Sequence, residues 1–159
     1  MMEKKILYNV QINSAGKTYC TPDWHWDTGF NSLFDFDLWT VIEGEGKLET
    51  SNKTYRLMSG DCFLFRNNQR YIGSHNSQNP LVVIHIHFDF YDKGKKIEPD
   101  SVASYNLPEL YRRIKDLSFF KGILERTLRL YQKGQRLESN NWLKAALLEI
   151  IRLDRKNEY

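Results

Sequence analysis

The chain has 159 residues, enough for one domain with a real core, and its 41% hydrophobic content and net charge of +3 are those of an ordinary globular protein. No stretch approaches the roughly 20 apolar residues of a membrane span. Cys20 and Cys62, with no apolar leader before Ile6, are expected to be free thiols of a reducing, cytoplasmic setting.

The charge is uneven along the chain. Residues 1–107 carry 11 Lys and Arg against 13 Asp and Glu, a net −2, whereas residues 108–159 carry 12 against 7, a net +5. Five charges spread over helices read as a solvated face rather than a nucleic-acid surface.

From Tyr8 to Tyr91 short apolar runs alternate with turn residues, the spacing of a β-sandwich or barrel. "PDWHWD" (22–27) sets Trp24 and Trp26 on one face and His25 and Asp27 on the other, with Trp39 expected on a neighbouring strand. Such a cluster is either plain core or a stacking platform. In the second case aromatic faces meet the apolar face of a sugar ring while polar groups fix its hydroxyls. "FDFDLWTVI" (34–42) is a strand, and Asp35 and Asp37 at its start read as strand-end solvation rather than an acid/base pair. It runs into "EGEG" (43–46), whose glycines are expected to allow a tight hairpin, not to cradle phosphate. "KLETS" (47–51), a turn at Asn52 and Lys53, "TYRLM" (54–58), the turn "SGD" (59–61) and "CFLF" (62–65) follow.

"VVIHIHFDF" (82–90) alternates strictly. Val82, Ile84, Ile86, Phe88 and Phe90 form one face, expected in a core; Val83, His85, His87 and Asp89 form the other. Two histidines at this spacing can ligate a metal or line a cavity, and no Cys or Glu supplies an obvious third ligand. No serine lies in a nucleophile motif and no carboxylate pair stands out, so nothing in the pattern demands catalysis.

After "YDKGKKIEPD" (91–100), a lysine-rich loop, the period changes. "ELYRRIKD" (109–116) is a helical turn or a short edge strand. Asp116 or Ser118 caps a helix to about Gln132, with Phe120, Leu124, Leu128 and Tyr131 on one stripe and Gly134 at its end. A second helix spans about Asn140 to Arg155. Leu143, Ala146, Leu147, Ile150 and Leu153 share the arc that packs on the body. Leu148 and Ile151 are left as an exposed pair, the expected contact of a two-fold dimer.

These pieces carry a resemblance. "DLWTVIEGEGKLETSNKTYRLMSGDCFLFRNNQRYIGSH" (37–75) followed by "VVIHIHFDF" is similar to the cupin-type sensor domain of AraC-type transcriptional regulators. The strand into "VIEGEG", the "SGD" turn where that family often has Pro-Gly-Asp, the late "HFDF" and the two closing helices occur in the family's order, over nearly the whole chain. The resemblance implies a mainly β fold, a cupin-type β-sandwich or barrel over residues 1–100, closed by an antiparallel helix pair over 101–159 within the same structural domain. It implies a small effector, often a carbohydrate, inside the barrel, with Trp24, Trp26 and Trp39 stacking and Asp37, Tyr71, His75, His85 and His87 hydrogen-bonding. It further implies a homodimer and a helix-turn-helix DNA reader, which these 159 residues lack. Where metal-binding cupins carry their ligands this chain has Asn31, Leu33, Asp37 and Tyr71, so no metal or other cofactor is expected. The rival reading is a small cupin enzyme, an isomerase or epimerase acting on a sugar-like substrate, with His85 or His87 as acid/base.

Overall fold

The computed structural model describes residues 5–6, 9–29, 33–66, 69–98 and 105–156. In chain order the first strands are β1 (Lys5–Ile6), β2 (Asn9–Tyr19), β3 (His25–Asp27), β4 (Phe36–Glu43), β5 (Gly46–Glu49) and β6 (Thr54–Leu57). They are followed by β7 (Asp61–Phe65), β8 (Ile72–His75), β9 (Val82–Asp92), β10 (Lys95–Lys96), β11 (Tyr105–Asn106) and β12 (Tyr111–Arg113). Two helices close the chain, α1 (Leu117–Gln132) and α2 (Arg136–Lys156). No described helix is long and apolar enough to cross a membrane.

The β residues form the two antiparallel layers expected of a cupin-type sandwich. In the larger sheet β9 pairs with β2, β4 and β10, β4 continues to β7, and β7 to β12. The smaller sheet has the order β3-β8-β5-β6, and β1 pairs with β11 in a separate parallel ribbon.

Alternation along the central strands explains why two cores share one sheet. Phe36 and Leu38 of β4, Cys62 and Leu64 of β7, and Ile84, Ile86 and Phe88 of β9 point to one side. There they pack against Phe120, Leu124 and Leu128 of α1 and Leu143, Leu147 and Ile150 of α2. Trp39, Val41, Phe63, Phe65 and Val83 point to the other side and meet Leu48, Leu57 and Tyr71 between the sheets. Burying each large apolar side chain contributes roughly 1.5–3 kcal/mol, so both faces hold the strands in place. A strand buried on both faces needs a continuous apolar run, which is what 36–42 and 61–65 supply around a few polar residues.

The edges of the elements differ from expectation in instructive ways. "EGEG" makes no hairpin: β4 pairs with β7 and β9, whereas β5 pairs with β6 and β8. The turn carries the chain from one sheet to the other past Pro80. Gly44 has φ 93°, and a Cβ there would lie 2.2 Å from the Pro80 carbonyl oxygen. Glycine is demanded by this close passage. The ambiguous segment over 109–116 is an edge strand in its middle, since Tyr111–Arg113 pairs with β7.

Asp116 is the N-cap of α1, its side chain accepting from the Phe119 N–H. Helix α2 begins at Arg136, a turn earlier than its apolar stripe predicts, so that Asn140 lies inside it and faces the sheet. Its Oδ1 accepts the Ile12 N–H of β2, beside the bulge between Ile12 and Ser14. The exposed Leu148–Ile151 pair is also corrected. Leu148 is 37% exposed, but Ile151 is only 6% exposed. Helix α2 lies across both β2 and β12, which widens its covered arc enough to take in Ile151.

Candidate functional site

Between the two sheets a cavity of about 240 Å³ opens beside the inner core. Its walls come from four places in the chain. Trp24 and Trp26 stand at and beside β3; Asp37 and Trp39 project from β4; Val83, His85 and His87 project from β9; Thr18 of β2 and Leu33 complete it. Pairing register puts the polar groups together, because Asp37 lies opposite His87 and Trp39 opposite His85 across the β4–β9 ladder.

The aromatic wall is built across the sandwich. Trp26 lies parallel to Trp39 at 6.1 Å and to Tyr71 at 6.4 Å. Trp39 therefore comes from the opposing sheet, not from a strand beside β3 as the sequence led us to expect. Gly73 of β8 makes room for Trp24 and Trp26, since a Cβ there would lie 2.9 Å from Trp24 Cη2 and 3.5 Å from Trp26 Cε3.

The polar floor is a row of carboxylates and imidazoles. His87 Nδ1 is 2.9 Å from Asp35 Oδ1, and His87 Nε2 is 3.4 Å from Asp37 Oδ2. Asn13 Nδ2 donates to both Asp35 Oδ2 and Asp89 Oδ2 at 2.9 Å. His85 Nε2 is 2.8 Å from Thr18 Oγ1. Asp37 is 2% exposed, and its Oδ1 has no hydrogen-bond partner. Its placement overturns its reading as strand-end solvation.

The surroundings set the charge of each group. Burial, reinforced by the nearby Asp35 charge and opposed by His87, pushes the Asp37 carboxyl up to about 7. The Asp35 hydrogen bond, against the pull of burial, raises His87 above its ordinary value, with both carboxylate charges adding to the rise. Burial works against the Asp35 anion, but hydrogen bonds from His87 and Asn13 prevail and hold it below the usual carboxylate range. His85 is lowered by burial and by the neighbouring His87, which keeps it neutral.

Of the residues expected at the site, Trp24, Trp26, Asp37, Trp39, His85 and His87 line one cavity. Tyr71 and His75 do not. The Tyr71 ring backs Trp26 and its hydroxyl accepts the Arg66 N–H, while His75 sits outside with Nε2 3.1 Å from the Pro22 carbonyl oxygen. Thr18, Leu33 and Val83 line the cavity without having been expected there, and Asp35 joins the site only through His87; the shared spacing of 35, 37 and 39 with 83, 85 and 87 is the signal for Asp35 and Val83. Among the described residues no three His, Cys, Asp or Glu side chains form a group that could hold a metal ion. Asn31, one of the positions compared with metal-binding relatives, lies outside the described residues.

No family model matches the chain, and no curated protein does. Among solved structures it is similar to ToxT from Vibrio cholerae, an AraC-family regulator. Against an apo ToxT variant the TM-score is 0.54 at 16% identity, covering 89% of this chain and 54% of that one. Against wild-type ToxT bound to an unsaturated fatty acid it is 0.53 at 18% identity, covering 99% and 57%. The chain thus spans little more than half the length of these structures. What the two share is a fold: a cupin-like β-sandwich with its helices.

Proposed function

We propose that this chain is the effector-binding part of an AraC-type transcriptional regulator, and that its effector is a small polyhydroxylated molecule, a carbohydrate. The observation that carries this reading is the tryptophan-walled cavity with Asp37 buried in its floor and one carboxylate oxygen unpartnered. A sugar ring would stack on indole while its hydroxyls meet the polar side chains of that floor, His85 and His87 among them. The volume of about 240 Å³ lies below the roughly 300–1,000 Å³ of drug-sized sites, and suits a single ring better than a long acyl chain. The fatty acid bound by ToxT is therefore not the ligand class favoured here.

Control would work by population shift, since a ligand biases whichever arrangement it binds better. The strands that wall the cavity carry the helices on their other face, so a change in strand position reaches α1 and α2. DNA would be read by a helix-turn-helix region attached to this part, and self-association would use the exposed face of α2 around Leu148. The setting would be the cytoplasm.

Fluorescence and thermal shift against a panel of monosaccharides and fatty acids test the reading. One or a few sugars should bind and stabilise the chain by mass action. Binding of fatty acids with no response to any polyol would overturn the carbohydrate assignment. The Asp37–His87 pair also favours a second reading, a sugar isomerase or epimerase, because it joins two groups that exchange protons near neutrality. Conversion of a bound sugar, followed by NMR, would decide for the enzyme.

A further inference from the structure

A second hollow, of about 680 Å³, shares no lining residue with the tryptophan-walled cavity. It lies where the end of β12, the first turn of α1 and the last turns of α2 meet, and its size falls within the roughly 300–1,000 Å³ of small-molecule sites. Ile114, Phe119, Phe120 and Leu153 supply its apolar surface. Ile114 and Phe120 are buried, whereas Phe119 is 59% exposed, a large ring left open to solvent. The walls are pinned. The Ile114 N–H donates to the Gly60 carbonyl at 2.8 Å, and the buried Arg112 of β12 holds Asp154 of α2, with Nε 3.0 Å from Oδ1. The groove is therefore preformed by the fold.

Its rim is cationic. Arg113, Lys115, Arg152 and Lys156 line it, together with Asp116 and Glu149. Both arginines are spent, Arg113 on Asp61 and Arg152 on Glu149, and Asp116 caps α1. Lys115 and Lys156 enter no ion pair among the described residues; Lys156 feels Glu149 only at longer range. Counting Asp61, four cations meet three carboxylates, so one positive charge is in excess.

We propose that this groove is a second ligand site, for an amphipathic monoanion: an alkyl or aryl carboxylate whose apolar part covers Phe119 and Phe120 while its head group pairs with Lys115 or Lys156. Such a molecule balances the excess charge and removes the exposed ring from water, two gains that neither a neutral sugar nor a cation offers. It would touch β12, α1 and α2 at once, so its effect on the helix pair does not depend on what fills the inner cavity.

Decanoate and decylamine share a tail and differ in the sign of their charge, so they decide the point. Each is titrated into the chain at neutral pH, below its micelle concentration, with affinity read by calorimetry and location by amide NMR shifts. Decanoate should bind at least about fivefold more tightly than decylamine, the worth of one partly exposed ion pair, with its shifts centred on residues 113–120 and 149–156. The double variant Lys115→Glu with Lys156→Glu, at two exposed positions, should reverse the preference, and Phe119→Ala should weaken decanoate severalfold. Equal affinity for the two probes, or no binding of decanoate, overturns the site. So does decanoate whose shifts fall on the strands of the inner cavity and whose affinity the lysine variant leaves unchanged. A groove that takes no decanoate but whose Phe119→Ala variant alters the oligomeric state is an interface between copies, and the ligand site falls. Should the double variant fail to fold, the affinity ratio and the shift map of the parent chain still decide.

Discussion

A carboxyl group held between two sheets with one oxygen unpartnered resists ionisation, and Asp37 is such a group. Its folded pKa of about 7 stands above the ordinary 3.8, so the native state keeps a proton that the unfolded chain has lost. Stability therefore falls as pH rises between those values. His87 acts in the same direction. Its pKa is raised above 6.5, so its stabilisation is complete below that value and is lost as pH climbs through the folded pKa. Asp35 works the other way, being lowered from 3.8, and its contribution disappears on strong acidification. From these three groups the ligand-free chain should be most stable near pH 4 and lose stability steadily as the pH rises towards 7. Asp37→Asn should flatten the alkaline decline and, near pH 8, be more stable than the parent by about 1–3 kcal/mol. Urea denaturation near pH 5 and pH 8 checks this; a variant weaker than the parent at both would mean that ionised Asp37 is well paired in the native state.

At the scale of elements, α2 separates two leucine-sized side chains that look equivalent in sequence. Leu148 keeps solvent on one side, next to an outer face that also carries Leu137, whereas Ile151 is covered by the body. Leu148→Glu should leave a folded chain and, if α2 is the contact between two copies, convert a dimer to a monomer in light scattering. Ile151→Glu should instead unfold the domain, because it buries a charge without a partner. A parent chain that is monomeric at tens of micromolar would remove the dimer and leave the contrast in folding intact. Which elements were legible follows from the same physics. The strand at 82–90 and the stripe of α1 announce themselves, since one face of each is apolar at a fixed period. Strand β2 does not, because its alternation breaks at the bulge after Ile12 and then runs through small and polar residues. The tryptophans and histidines of the site could be read one strand at a time. Thr18 could not, because its place in the cavity depends on which distant strands pair and in what register.

At the scale of the whole molecule, the larger sheet has almost no solvent face in its middle: β4 and β7 are buried from end to end apart from Glu43. Their amides exchange with deuterium only when one or other core opens, and opening either exposes the strands that the other core also needs. A ligand held between the sheets should then slow exchange in α1 and α2, which it never touches, as well as in β4 and β9. Protection confined to the cavity strands would show that the two cores open separately. Where the protection is shared, anything attached to the helices receives word of the ligand without a dedicated path, because the sheet that senses it and the sheet that carries them are one object.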